Sequence, residues 1–246
     1  MSLAKGLPYA ACHPVPVFRL GMSLLSTGWI LAVVKGRTRL SSTVKAWAGR
    51  VISALGIEVT LAEPIPSGAQ LWVSNHLSWV DPLIYLSLRP CRVMAKAEVA
   101  EYPVIGSGAC RIGLRFVKRE NLFSRACALR RLFQDLEAGE DFLLFPEGTT
   151  TLGTQLAPLY EGSLRMAFRL GIKVLPLRLA SEDAHYPWVG DDPLFPHLKA
   201  LAWSPATRVA IHPGPVLDPV QFPDEAGWLR AIRSHLEAPL QEKDIA

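Results

Sequence analysis

Beyond residue 56 the chain alternates between short runs with the composition of β-strands and longer runs with the period of helices, which restricts it to a layered α/β architecture. The β-rich runs are Ile57 to Leu61, Gln70 to Ser74, Arg92 to Ala95, Arg115 to Lys118, Phe142 to Phe145, Val174 to Leu179 and Arg208 to Ile211. Helical runs Asp81 to Leu88, Ser124 to Ala138 and Ser163 to Leu170 lie between them. In the second, Leu129, Leu132, Phe133 and Leu136 share one face, and Gly139 closes the helix. The pattern predicts a mixed, largely buried sheet with flanking helices. Residues 181 to 205 contain Pro187, Pro193, Pro196 and Pro205 among several aromatics and read as a long loop or insertion without a legible role. A last helix is expected from about Asp224 to Glu237.

With 246 residues, half of them hydrophobic, the chain can bury one sizeable core. Two apolar segments precede the alternating part. Leu20 to Val34 carries no charge and is bounded by Arg19 and by Lys35-Gly36-Arg37-Thr38-Arg39. As a helix it reaches about 22 Å, short of the roughly 30 Å of a hydrocarbon core, so it is expected to lie in one leaflet or to span only with its flanks recruited. A signal peptide fits less well, because Ala-Val-Val-Lys offers no small-x-small cleavage site. A buried core helix is the other reading. From Ser42 to Gly56, residues Val44, Trp47, Ala48, Val51, Ile52 and Leu55 form one apolar helical face. The two segments predict an apolar helical hairpin: residues 1 to 56 associate with a membrane and residues 57 to 246 form the α/β domain. The second stripe could equally pack on that domain.

Charge supports the membrane reading. The first sixty residues hold seven bases against Glu58 alone, from a total of 26 bases and 22 acids. A basic, apolar start on a nearly neutral body suits an anionic membrane surface, and no motif for nucleic acid accompanies it. Solvated surface charge is the plainer alternative. Cys12, Cys91, Cys110 and Cys127 lack Cys-x-x-Cys spacing, which fits reduced apolar residues and argues against structural zinc.

Asn75-His76-Leu77-Ser78-Trp79-Val80-Asp81-Pro82 places a His five residues before an Asp. A neutral imidazole removes a proton from a hydroxyl when a carboxylate fixes its tautomer and stabilises the imidazolium. On a regular helix the two side chains would stand about 140° apart, so the segment is expected to run as strand end, turn and a helix starting near Asp81-Pro82. Asp81 could instead be a helix N-cap and His76 a structural residue. His13, His185, His197, His212 and His235 lack a carboxylate at a recurring spacing and are assigned no role. Phe145-Pro146-Glu147-Gly148-Thr149 forms a second loop at a strand end, where Glu147 could accept hydrogen bonds and Gly148 permits close backbone approach. Alone, it is a turn. Arg115, Lys118 and Arg119 form a basic cluster suited to an anionic head group, or to solvent.

These blocks, followed by Val174-Leu175-Pro176-Leu177, stand in the order found in the glycerolipid acyltransferases, and over roughly residues 70 to 180 the chain resembles that family. The resemblance implies an O-acyltransferase, like 1-acylglycerol-3-phosphate acyltransferases, working in phospholipid biosynthesis on a membrane, at the cytoplasmic face of the inner or plasma membrane. It implies His76 and Asp81 as catalytic residues and Arg115, Lys118, Arg119, Glu147, Gly148 and Thr149 as substrate-binding residues, with Arg119 favoured for the anion. The acyl donor would be acyl-CoA or acyl carrier protein, the acceptor a lysolipid, and no cofactor or metal is implied. Direct attack on the thioester needs no acyl-enzyme, and the chain has no Gly-x-Ser-x-Gly elbow.

Two positions depart from the family pattern. Thr150 stands where many members have Arg, and Glu161 where many have Lys. Both remove positive charge from the acceptor side, and Glu161 adds a repulsion toward a doubly charged phosphate, so a smaller or zwitterionic head group fits at least as well as lysophosphatidate; the Thr149-Thr150 ending resembles the subgroup that acylates lyso-ornithine lipids, which is the alternative to a lysophospholipid acceptor. A lipid-binding protein without turnover and a hydrolase using water are the readings from other classes.

Overall fold

The computed structural model describes residue 21 and residues 37–101, 113–190, 192–204 and 206–237. Its centre is a seven-stranded sheet made of β1 (Ile57–Leu61), β2 (Leu71–Ser74), β3 (Arg92–Lys96), β4 (Leu114–Val117), β5 (Phe142–Leu144), β6 (Val174–Ala180) and β7 (Thr207–Pro213), in the order β1-β7-β6-β2-β5-β3-β4. All neighbours run parallel except β6 and β7. The sheet is therefore mixed, as the alternating pattern predicts.

Both faces are covered, and the strand sequences show why. In β2, Leu71 and Val73 point into one core and Trp72 into the other, and β5 divides Phe142 and Leu144 from Leu143 in the same way. A strand buried on both sides has no solvated position, which is why these runs are uninterrupted apolar sequence. On the Trp72 face lie α1 (Arg37–Ala54), α2 (Asp81–Leu88) and α5 (Leu194–Trp203). On the Leu71 face lie α3 (Leu122–Glu137), α4 (Gly162–Arg169) and α6 (Glu225–Glu237).

The N-terminal expectations divide here. The stripe Val44, Trp47, Ala48, Val51, Ile52 and Leu55 on α1 is buried in the same core as Trp72, Ile84 and Tyr85, so it packs on the α/β body. Apart from Gly21, the apolar run Leu20 to Val34, and with it the hairpin's other limb, lies outside the described residues. Among the described residues no helix is long and apolar enough to cross a membrane. Residues 181 to 205 correct a second expectation. They are not simply a loop, because α5 forms there and buries Leu201 and Ala202. Its two prolines do not oppose the helix: Pro193 precedes its first residue and Pro196 falls in the first turn, where backbone N–H groups have no intrahelical acceptor.

The topology also fixes where a site can form. From β2 the chain crosses through α2 to β3, on one side; from β5 it crosses through α4 to β6, on the other side of β2. These crossovers pass over opposite faces of the sheet, α2 on the Trp72 face and α4 on the Leu71 face, and connections that leave adjacent parallel strands toward opposite faces open a crevice beyond the strands' C-terminal ends. Residues 75–80 leave β2 at that edge, and residues 145–149 leave β5 beside them.

Candidate active site

The loop after β2 is held from its first residue. Asn75 replaces a rung of the sheet ladder with its side chain: Nδ2 donates to the Leu179 carbonyl at 2.8 Å and Oδ1 accepts from the Leu179 N–H at 2.7 Å. The chain then turns tightly enough to bring residues five apart together, with His76 Nδ1 and Asp81 Oδ2 at 2.7 Å. Asp81 is the first residue of α2, and no side chain caps that helix. Its carboxylate turns back into the loop instead, where Oδ2 also accepts from the N–H groups of Leu77 at 2.7 Å and Ser78 at 2.9 Å. The N-cap alternative for Asp81 therefore does not hold. Oδ1 accepts from the Tyr186 hydroxyl at 2.5 Å, which leaves a 0% exposed carboxylate with a donor on each oxygen.

His76 is fixed in plane as well as in direction. Its ring stacks on Phe145 with centroids 4.1 Å apart and an interplanar angle of 18°. Its carbonyl accepts from the Thr151 N–H at 2.8 Å, tying the two loops together. With Nδ1–H directed at Asp81, the lone pair belongs to Nε2, which has no hydrogen-bond partner among the described residues, and the side chain keeps 16% exposure. The geometry would allow a ring held in this way to accept a proton at Nε2.

Glu147 lies on the same loop as Phe145 and is 3% exposed, with neither carboxylate oxygen completing a hydrogen bond. Desolvation pushes its pKa up to about 7; the Thr151 side chain and the His76 amide lie close enough to offset part of this, and the charge of Asp81 adds to it. Gly148 follows at φ +69°, where a Cβ would stand 2.7 Å from the Tyr160 ring, so only glycine lets that ring lie against the loop. The Arg119 guanidinium carbon is 3.8 Å from the same point. Arg119 is half-buried and makes no salt bridge or hydrogen bond among the described residues; burial lowers its pKa, while Tyr160, Glu98 and Glu120 favour its charge.

The remaining basic residues part company with Arg119. Arg115 donates twice to Asp135, Nε to Oδ2 at 2.8 Å and Nη2 to Oδ1 at 2.9 Å, joining β4 to α3. Lys118 and Thr149 are exposed. Glu161 is paired with Arg165 at 2.6 Å, and Arg165 also bonds Glu225. The repulsion expected from an unpaired Glu161 is therefore largely neutralised. The sequence offers roles for His76, Asp81 and Glu147 but none for Asn75, for the Phe145 ring or for Tyr186. Asn75 and Phe145 lie inside the two loop motifs, whereas Tyr186 lies in neither.

A sequence profile of the family described as Acyltransferase matches residues 56–180. Over 160 residues the chain is 36% identical to a lyso-ornithine lipid O-acyltransferase from Pseudomonas aeruginosa, covering 63% of this chain and 62% of that protein. Over 170 residues it is 26% identical to a 1-acyl-sn-glycerol-3-phosphate acyltransferase from Borreliella burgdorferi, covering 68% and 64%. In both cases the match spans less than two thirds of the relative. The crystal structure of a 1-acyl-sn-glycerophosphate acyltransferase from Thermotoga maritima superposes with a TM-score of 0.66 at 18% identity, covering 92% of this chain and 100% of the other, which is a likeness of fold. With the profile spanning half of the chain, and both the His76–Asp81 loop and the Glu147 loop inside it, the protein belongs to the Acyltransferase family.

Proposed function

We propose that the protein is an O-acyltransferase that moves a fatty acyl group from an acyl thioester, acyl-CoA or acyl carrier protein, to the free hydroxyl of a lysolipid in membrane lipid synthesis. The observation that carries this reading is the imidazole whose Nδ1 is held by a buried carboxylate and whose Nε2 has no partner among the described residues. In the forward direction Nε2 of His76 takes the proton of the acceptor hydroxyl as its oxygen bonds to the thioester carbonyl carbon. The tetrahedral adduct collapses, the C–S bond breaks, and His76 returns the proton to the leaving thiolate. Asp81 holds the tautomer and stabilises the imidazolium while it exists.

The acceptor in the first reading is a lysophospholipid such as 1-acylglycerol-3-phosphate. Support comes from Arg119, a half-buried guanidinium beside Gly148 with no salt bridge among the described residues, which suits a phosphate. A lyso-ornithine lipid is the second reading, favoured by Thr150 in place of an arginine and by likeness to a relative of that name. Substrates of either kind reside in a bilayer, and the uncharged run Leu20 to Val34 beside a basic cluster supports attachment to an anionic membrane surface.

The test is thiol release from acyl-CoA, with the acyl group traced by mass spectrometry, for wild type and His76→Ala given lysophosphatidate, lyso-ornithine lipid or no acceptor; acyl carrier protein donors form a parallel arm. Transfer that depends on His76 and on one acceptor is expected. Thiol release without an acceptor would indicate a hydrolase, and undiminished transfer by His76→Ala would remove the mechanism.

A further inference from the structure

The segment after β6 lies beyond the part of the chain matched by the family profile, yet it closes over the His76 loop. It is fixed at several points. Ser181 Oγ donates to the Arg208 carbonyl at 2.8 Å, and the Tyr186 N–H to the Asp183 carbonyl at 3.0 Å. The Trp188 N–H donates to the Leu77 carbonyl at 2.9 Å, and Trp79 Nε1 to His197 Nδ1 at 2.9 Å. Between these anchors Tyr186 is fully buried, and its hydroxyl is the donor to Asp81 Oδ1, the carboxylate oxygen that the loop itself leaves unused.

We propose that Tyr186 is a positioning residue of the acyl-transfer site, which locks the Asp81 carboxylate through Oδ1 so that Oδ2 stays aimed at His76 Nδ1. The inference rests on the acyl-transfer reading and deepens it. Without the phenol, Oδ1 would stand in a dry site with no donor, and the carboxylate could turn about its Cβ–Cγ bond away from the ring. A neutral donor also withdraws charge from Asp81, which sets how tightly the His76–Asp81 pair holds its shared proton. Burial and the charge of Asp81 raise the Tyr186 pKa well above that of an ordinary phenol, so it remains a donor across the working range. Tyr85 on α2 and Glu147 on the loop after β5 are the other titratable groups whose charge interacts with Asp81.

Tyr186→Phe removes the hydroxyl and keeps the ring. The His76 ring resonances, followed by NMR against pH, report the titration of the pair and require no turnover. Losing a hydrogen bond to a charged group should raise that titration by about one pH unit. Glu147 ionises in the same region, so the comparison is repeated in the Glu147→Gln background. In the transfer assay Tyr186→Phe should lower kcat about tenfold at neutral pH, leave KM for donor and acceptor within about twofold, and move the acid limb of kcat/KM upward. In an Asp81→Asn background the further loss should vanish, because the hydroxyl then has no carboxylate to act through.

A fluorotyrosine at position 186 keeps the hydroxyl, donates more strongly and should move the titration downward, which decides the matter even where the Phe variant does not fold. A titration unmoved by the substitutions, or an equal loss in the Asp81→Asn background, would make Tyr186 an ordinary core residue and overturn the proposal. Should wild type transfer no acyl group to any acceptor, the acyl-transfer reading falls, and the NMR titration still judges whether Tyr186 controls Asp81.

Discussion

At the scale of single residues, the two carboxylates beside His76 are opposites. Asp81 has donors on both oxygens, whereas Glu147 is nearly as buried and completes no hydrogen bond. The consequence for Glu147 is a pKa raised from 4.5 to about 7. Below pH 4.5 the carboxyl is protonated folded or unfolded and makes no difference to stability. Between pH 4.5 and 7 the unfolded chain releases the proton and the folded chain retains it, so stability declines as pH rises; above 7 the deficit levels off at roughly 3 kcal/mol. Glu147→Gln should remove that slope: its stability relative to wild type in denaturant melts should improve by up to about 3 kcal/mol between pH 4.5 and 8. A difference that stays flat with pH would mean that the folded site solvates the ionised carboxylate. Asp81→Asn tests the other carboxylate. The amide oxygen can still accept from Leu77 and Ser78, so the loop is retained while the charge that stabilises an imidazolium is lost. A fall in kcat of about 10²- to 10⁴-fold with little change in KM is expected from steady-state kinetics.

At the scale of elements, the Arg115–Asp135 pair is the clearest case of a charge that the sequence offered for binding and the fold uses for packing. Two parallel N–H···O bonds join β4 to α3, and both side chains are mostly shielded from solvent. Asp135→Asn should lower stability by about 1–2 kcal/mol and leave KM for the acceptor unchanged, as read from denaturant melts and saturation kinetics. A raised KM instead would return Arg115 to the substrate site. Nothing in Leu114-Arg115-Phe116-Val117 separates an arginine that pairs with the following helix from one that faces a ligand, because the distinction depends on Asp135 twenty positions later. Local pattern did give the strands to within a residue or so, and the short distance from His76 to Asp81 followed from the strand–turn–helix reading. Helix α5 was hidden by its own prolines, although one precedes the helix and the other sits in its first turn. The partnership of Tyr186 with Asp81 was not legible at all. It joins residues 105 apart through the return of the chain along β6, and no periodicity encodes such a meeting.

At the scale of the whole molecule, the place where the N-terminal part can be cut is decided by α1. Val44, Trp47, Ala48, Val51, Ile52 and Leu55 are buried against α2 and the Trp72 face of the sheet. Taken together their burial is worth roughly 10 kcal/mol as an upper bound, comparable to the entire net stability of an ordinary domain. A truncation that removes residues 1–56 should therefore yield no cooperative melt and aggregate, since it strips one wall from the core that carries the His76 loop. A truncation ending at residue 36 leaves α1 whole and removes the uncharged run Leu20 to Val34 together with Arg19 and Lys35. That shorter protein should melt within a few degrees of the full chain and should move from the membrane pellet to the supernatant on fractionation. It should still release thiol from acyl-CoA with acceptor presented in detergent micelles, because the described groups around His76 all lie beyond the cut. Loss of the melt in the shorter truncation would show that residues before 37 contribute to the core. Full pelleting of a folded, unaggregated protein would place the attachment to lipid on the α/β body itself.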